Sequence, residues 1–138
     1  MSKDLHPFFK LEKLIIEFND TRENSNLEKL QLLREDIAIN LFLLSDSVSQ
    51  TIANAESKDY ERKRFYAERE EYYRNSIDER TGKNYNVADS ERLARLDSKE
   101  IDEACAFAYK QKERARLVVI AIQQILNSLS GRISNYSK

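Results

Sequence analysis

The chain has 138 residues, 34% of them charged, with two glycines, one proline and a formal net charge of −1. A single cysteine excludes an intramolecular disulfide and a thiolate metal cluster. The balanced charge gives no overall pull towards nucleic acid or an anionic membrane, and so few turn-forming residues point away from a mixed α/β fold and towards long helices.

Pro7 can open a helix, because its missing N–H is one that the first turn leaves unpaired anyway. Phe8, Leu11, Leu14, Ile15 and Phe18 follow at steps of three and four. This predicts a short helix over 8–19, too short to be stable in water unless it docks.

Ser25 with Glu28 forms a capping-box pattern ahead of an apolar run. Leu27, Leu30, Leu33, Ile37, Leu41, Leu44, Val48, Ile52 and Ala55 repeat at three or four, which predicts a long helix over 25–76. Between Ile37 and Leu44 the apolar residues Ile39, Phe42 and Leu43 cover the other faces as well, a pattern expected of a helix buried all round. From Glu56 to Asn75 the stripe thins to Tyr66 and Tyr73, and six acidic residues balance six basic ones. Intrahelical pairs such as Glu70 with Arg74 are expected there.

Residues 77–88 hold Gly82 and read as an exposed hairpin tip. A return helix is predicted over 89–130, capped by Asn86 or Asp89 and ended by Gly131 as its C′ residue. Leu93, Leu96, Ile101, Ala104, Phe107, Ala108 and Ala115 are expected to face the outgoing arm. The predicted fold is thus all-α, one domain built on a long antiparallel helical hairpin, with the short N-terminal helix packed at an apolar base. Three helices are expected to leave part of that base uncovered, so self-association is predicted through Ile37, Leu41, Phe42, Leu44, Val119, Ile120, Ile122 and Ile125.

Catalysis, a metal and a cofactor are not expected. His6, the only histidine, is far from Cys105, which sits between alanines as a small packing residue. Neither glycine has the partners of a phosphate loop. Met1-Ser-Lys-Asp lacks the apolar core of a signal peptide, and no stretch approaches the ~20 apolar residues that span a bilayer. A cytoplasmic protein or a component of an assembled particle, with no membrane partner, is the expectation.

The run from Tyr60 to Arg74 interleaves aromatic and basic residues: Lys63, Arg64, Arg69, Tyr72, Tyr73 and Arg74. Single-stranded nucleic acid is bound by bases stacking on rings while cations follow the phosphates. Lys110, Lys112, Arg114 and Arg116 form a second cluster that an antiparallel hairpin would set opposite residues 55–62, on one shared surface. The same run also reads as a helix seam holding Tyr66 and Tyr73, with its charges merely solvated.

The order of parts over roughly 62–133 resembles the UvsY-like recombination-mediator proteins of tailed phages and related small phage helical-hairpin proteins. The matching pieces are Arg69–Arg74, Thr81-Gly82-Lys83, Ser90-Glu91, Ala108-Tyr109-Lys110 and Ala121–Ser128. The resemblance implies an oligomeric accessory protein that binds single-stranded DNA and helps a recombinase load onto strands covered by single-stranded-DNA-binding protein. It would place Lys63, Arg64, Arg69, Arg74, Lys110 and Lys112 on phosphates, with Tyr72 and Tyr73 available for stacking. The rival reading is a virion structural or assembly protein whose hairpin docks other proteins.

Overall fold

The structure is a computed structural model describing residues 7–21 and 26–136. The chain is all-α: a short helix α1 (Pro7–Asp20), then a long helical hairpin in which α2 (Leu27–Arg74) goes out and α3 (Val87–Asp97) and α4 (Lys99–Tyr136) come back. It divides into two compact units, residues 1–49 with 114–138 and residues 50–113, and α2 and α4 contribute to both.

The first unit holds the large apolar core. Leu11 of α1, Leu30, Leu33, Ile37 and Leu44 of α2, and Ile122 and Leu129 of α4 are buried together. Leu14, Ile15, Phe18, Leu41, Val48, Val118, Ile125, Leu126 and Ile133 pack around them. Burying each such side chain contributes about 1.5–3 kcal/mol, which is how a helix as short as α1 holds its place. The end of α1 is tied down as well. Thr21 is buried, its hydroxyl donates to the Phe18 carbonyl at 2.6 Å, and Arg132 of α4 donates to the Thr21 carbonyl at 2.8 Å. A cation at a helix C-terminus also meets the favourable end of the dipole.

Four features differ from the sequence expectations here. Asn26 caps α2, its side chain accepting from the Lys29 N–H at 2.8 Å; Ser25, expected in that role, and the side chain of Phe8 lie outside the described residues. Gly131 does not end the last helix, which runs on to Tyr136, and among the described residues only Gly82 has a positive φ. Ile39, Phe42 and Leu43 are at least half exposed rather than buried all round, because α1 and α4 cover only the Leu30–Ile37–Leu44 side of α2. Against the expectation that no stretch is apolar enough to span a bilayer, α4 is long and apolar enough, by length and composition alone, to cross a membrane, with 11% of its apolar stretch buried.

The second unit packs through small residues. Ala55 on α2, Ser90 and Ala94 on α3, Ser98, and Cys105 and Ala108 on α4 are the buried positions of its helices. Of the seven residues expected to face the outgoing arm, Ala108 is buried and Leu93, Ile101 and Ala115 are half-buried, whereas Ala104 is exposed and Leu96 and Phe107 are 62% and 64% exposed. Small side chains are the fully buried members of this seam, with Leu93 and Ile101 half-buried beside them and Leu96 and Phe107 left outside.

The return helix is also not single. Ser98 interrupts it, with its hydroxyl donating back to the Ala94 carbonyl at 2.7 Å. Such back-bonding by serine competes with the helix ladder and bends it. The expected tip is an ordered β-hairpin: β1 (Ile77–Asp78) pairs antiparallel with β2 (Lys83–Asn84), in register Ile77↔Asn84 and Asp78↔Lys83. Asp78 organises the turn, accepting from the Arg80 N–H at 3.0 Å, while its carbonyl accepts from Gly82 at 2.8 Å. Gly82 sits at φ +68, a left-handed conformation that favours glycine. Asn86 caps α3, accepting from the Asp89 N–H at 2.7 Å, as one of the two expected caps.

Candidate interaction sites

In the second unit, three polar side chains close on one another where α2 and α3 run side by side. Tyr73 donates its hydroxyl to Asp97 Oδ2 at 2.6 Å, and Arg69 Nε donates to the same oxygen at 2.8 Å. Arg69 Nη2 also donates to the Tyr73 hydroxyl at 3.3 Å, completing a triangle. The Tyr73 hydroxyl and then the Arg69 guanidinium hold the Asp97 carboxyl below the usual carboxylate range. The Asp97 carboxylate in turn pushes the Tyr73 hydroxyl above its ordinary value. The guanidinium lies 4.5 Å from the centre of the Tyr72 ring, and Tyr85 meets Tyr73 edge-on at 5.7 Å. This clasp joins α2 to α3 and seats the base of the tip.

The other residues expected at a nucleic-acid surface are largely committed within the helix. Lys63 pairs with Asp59 at 3.1 Å and Arg64 with Glu68 at 3.0 Å. Arg74 pairs with Glu70, as the four-residue spacing predicts. Asp59 also holds Arg62 at 2.9 Å, and its carboxyl is lowered first by Arg62 and then by Lys63. At about 100° per residue, these side chains do not share a face. Lys63 and Arg74 fall on one flank of α2, Arg64 points outward, and Arg69 and Tyr72 fall on the opposite flank.

On α4, Lys112 is half-buried with its Nζ 5.2 Å from the centre of the Tyr109 ring. Lys110 and Arg114 are exposed, one helical turn apart, with no ion-pair partner among the described residues. Lys110 lies on the side of α4 opposite its buried Cys105 and Ala108. Within this unit Lys110 therefore points away from the small-residue seam of α4. Asp97, Tyr85 and Asp59 were missed as members of the site. Asp59 carried a readable signal, three and four residues ahead of Arg62 and Lys63; Asp97 did not, since its partners are 24 and 28 residues away.

The apolar residues expected between copies divide in two. Ile37, Leu44 and Ile122 are inside the chain's own core, because one stripe on each of three helices suffices to enclose them. Leu41, Val119 and Ile125 are half-buried, and Phe42 and Ile120 stay 75% and 50% exposed. Phe42 stands at a groove of about 390 Å³ between α2 and α4, lined also by Ala38, Leu41, Val48, Val119 and Leu126.

A second hollow, about 630 Å³, follows the Ser98 bend, where Arg92, Arg95 and Lys99 alternate with Glu91, Asp102 and Glu103. Its charges offset one another and select no ligand class. Among the described residues, no group of three or more His, Cys, Asp and Glu side chains is placed to hold a metal ion. In comparisons with known proteins, no family, no curated protein and no solved structure matches the chain.

Proposed function

We propose that the protein is a non-enzymatic assembly protein, a helical hairpin that self-associates through the apolar residues its own core leaves uncovered. The observation that carries this reading is the surface of the first unit. Phe42 is 75% exposed, Leu117 65%, Ile39 56% and Leu32 54%, around a core that is already closed. The second unit exposes apolar side chains too, Leu96 and Phe107 among them, but Leu32, Ile39 and Phe42 recur along one side of α2, and such a stripe is a contact surface rather than scattered singles. The second unit, with its ordered tip, then stands as the part offered to other proteins. Light scattering on the full chain over a micromolar concentration range tests this. An oligomer is expected, and a monomer throughout would rule the reading out.

A second reading, a DNA-recombination accessory that holds single-stranded DNA, draws support from a different observation. Tyr72 is 55% exposed with Arg69 stacked on it, and Lys110 and Arg114 are exposed cations without ion-pair partners among the described residues. The pairing of Lys63, Arg64 and Arg74 with carboxylates weighs against it, since each pair must open before a phosphate replaces it. Titration of a labelled oligonucleotide at low salt separates the two. Binding that weakens steeply with salt, and that loses about 1–3 kcal/mol in Tyr72→Ala, would favour the DNA reading. Absence of binding by the oligomer leaves the assembly reading.

A further inference from the structure

We propose that copies of this chain pair through unlike faces: the acid-rimmed apolar face of α2 in one copy docks on the cation-bearing apolar face of α4 in another. The proposal rests on the self-association reading and names the surfaces that meet. On α2, Leu32, Ile39, Phe42 and Leu43 are exposed. They are spaced seven, three and one residue apart, which sets them on the side of the helix away from buried Leu30, Ile37 and Leu44. Glu28, Glu35, Asp36 and Asp46 are exposed on the same stretch, and none has an ion-pair partner among the described residues. A groove of about 360 Å³ beside Leu32 extends the acidic rim through Glu17 of α1, with Lys29 as its one cation.

The chain carries the complementary surface itself. On α4, Leu117 and Ile120 are 65% and 50% exposed. Arg114 lies three residues before Leu117 and Lys110 one turn earlier on the same helix, both exposed, with Glu113 as the one carboxylate over 110–120. Two α2 faces brought together would set carboxylates against carboxylates, and two α4 faces would set cations against cations. Like charges across an interface are repelled, so register and partner are chosen by the unlike pairing. Because each copy holds both faces, two contacts formed at once close a two-fold dimer, whereas single contacts passed from copy to copy build a ring or a filament.

The test reverses each face separately. One variant carries Glu35→Lys and Asp36→Lys, the other Lys110→Glu and Arg114→Glu, all at exposed positions outside the core. Each is examined by sedimentation velocity at low salt, with circular dichroism to confirm helix content. Each variant alone is expected to associate at least ~10-fold more weakly than the unaltered chain. An equimolar mixture is expected to regain association, since the basic α2 face of one variant now meets the acidic α4 face of the other. Variants that assemble as well as the unaltered chain overturn the pairing while leaving self-association standing. Loss in both without recovery in the mixture overturns it too. A monomeric unaltered chain defeats the self-association reading and this pairing with it.

Discussion

Tyr73, Arg69 and Asp97 show how one residue can serve both packing and electrostatics. Tyr73 keeps its ring at the seam between the helices while its hydroxyl is held by a carboxylate that is itself neutralised by Arg69. The clasp is partly solvated, with Arg69 and Asp97 side chains about one-third exposed (32% and 31%), so its worth is modest. Tyr73→Phe is expected to cost about 1 kcal/mol in urea unfolding. The pH dependence has a definite sign on each side. Asp97, Asp59 and Asp78 have lowered pKa values, so they stabilise above the ordinary carboxylate value of about 4 and lose that contribution as pH falls. The raised Tyr73 hydroxyl stabilises below its ordinary value of about 10 and loses that contribution as pH rises. Thermal unfolding should therefore show a plateau between those limits. In Asp97→Asn both its acid and its alkaline edges should shrink, with Asp59 and Asp78 keeping part of the acid one. A profile unchanged by Asp97→Asn would show that the clasp is not formed in solution.

The elements divide according to what their sequences specify locally. The existence of α1 and α2, the turn at Gly82 and the Asn86 cap were legible because capping, periodicity and turn chemistry act over a few residues. The Ser98 interruption was not, since nothing in the sequence breaks the helical pattern there; at that point the Ser98 hydroxyl turns back on the Ala94 carbonyl. The inward faces of α3 and α4 were misread in part for a related reason. Periodicity favoured bulky Leu96 and Phe107 for the inside, while the seam is built from Ser90, Ala94, Cys105 and Ala108. The two glycines give a paired test of this scale. Gly82→Ala forces a side chain into a left-handed conformation and should destabilise by about 1 kcal/mol. Gly131 lies within α4 with open space around it, so Gly131→Ala should stabilise by about 0.5–1 kcal/mol. Equal effects of the two changes in denaturant unfolding would contradict these backbone assignments.

At the scale of the whole molecule, the hairpin followed from the scarcity of breakers, and the core followed from the stripes of α1, α2 and α4. The candidate sites were less legible. A helix face depends on which neighbours cover it, and the charge of a lysine says nothing of the aspartate that neutralises it three or four residues away. Burial separates what the linear sequence merges: Ile37 and Leu44 serve the chain's own core, while Phe42, in the same run, faces outward. Self-association through the first unit is most directly tested by sedimentation equilibrium on the unaltered chain, Phe42→Glu and Tyr60→Glu. Both substituted side chains are highly exposed, 75% for Phe42 and 69% for Tyr60, so neither change should alter the helix content seen by circular dichroism. Tyr60 belongs to the second unit and serves as the control. The expected result is an oligomer for the unaltered chain and for Tyr60→Glu, and a folded monomer for Phe42→Glu, because a carboxylate buried at the contact costs several kcal/mol. A monomeric unaltered chain, or a Phe42→Glu variant that assembles as the unaltered chain does, would contradict it.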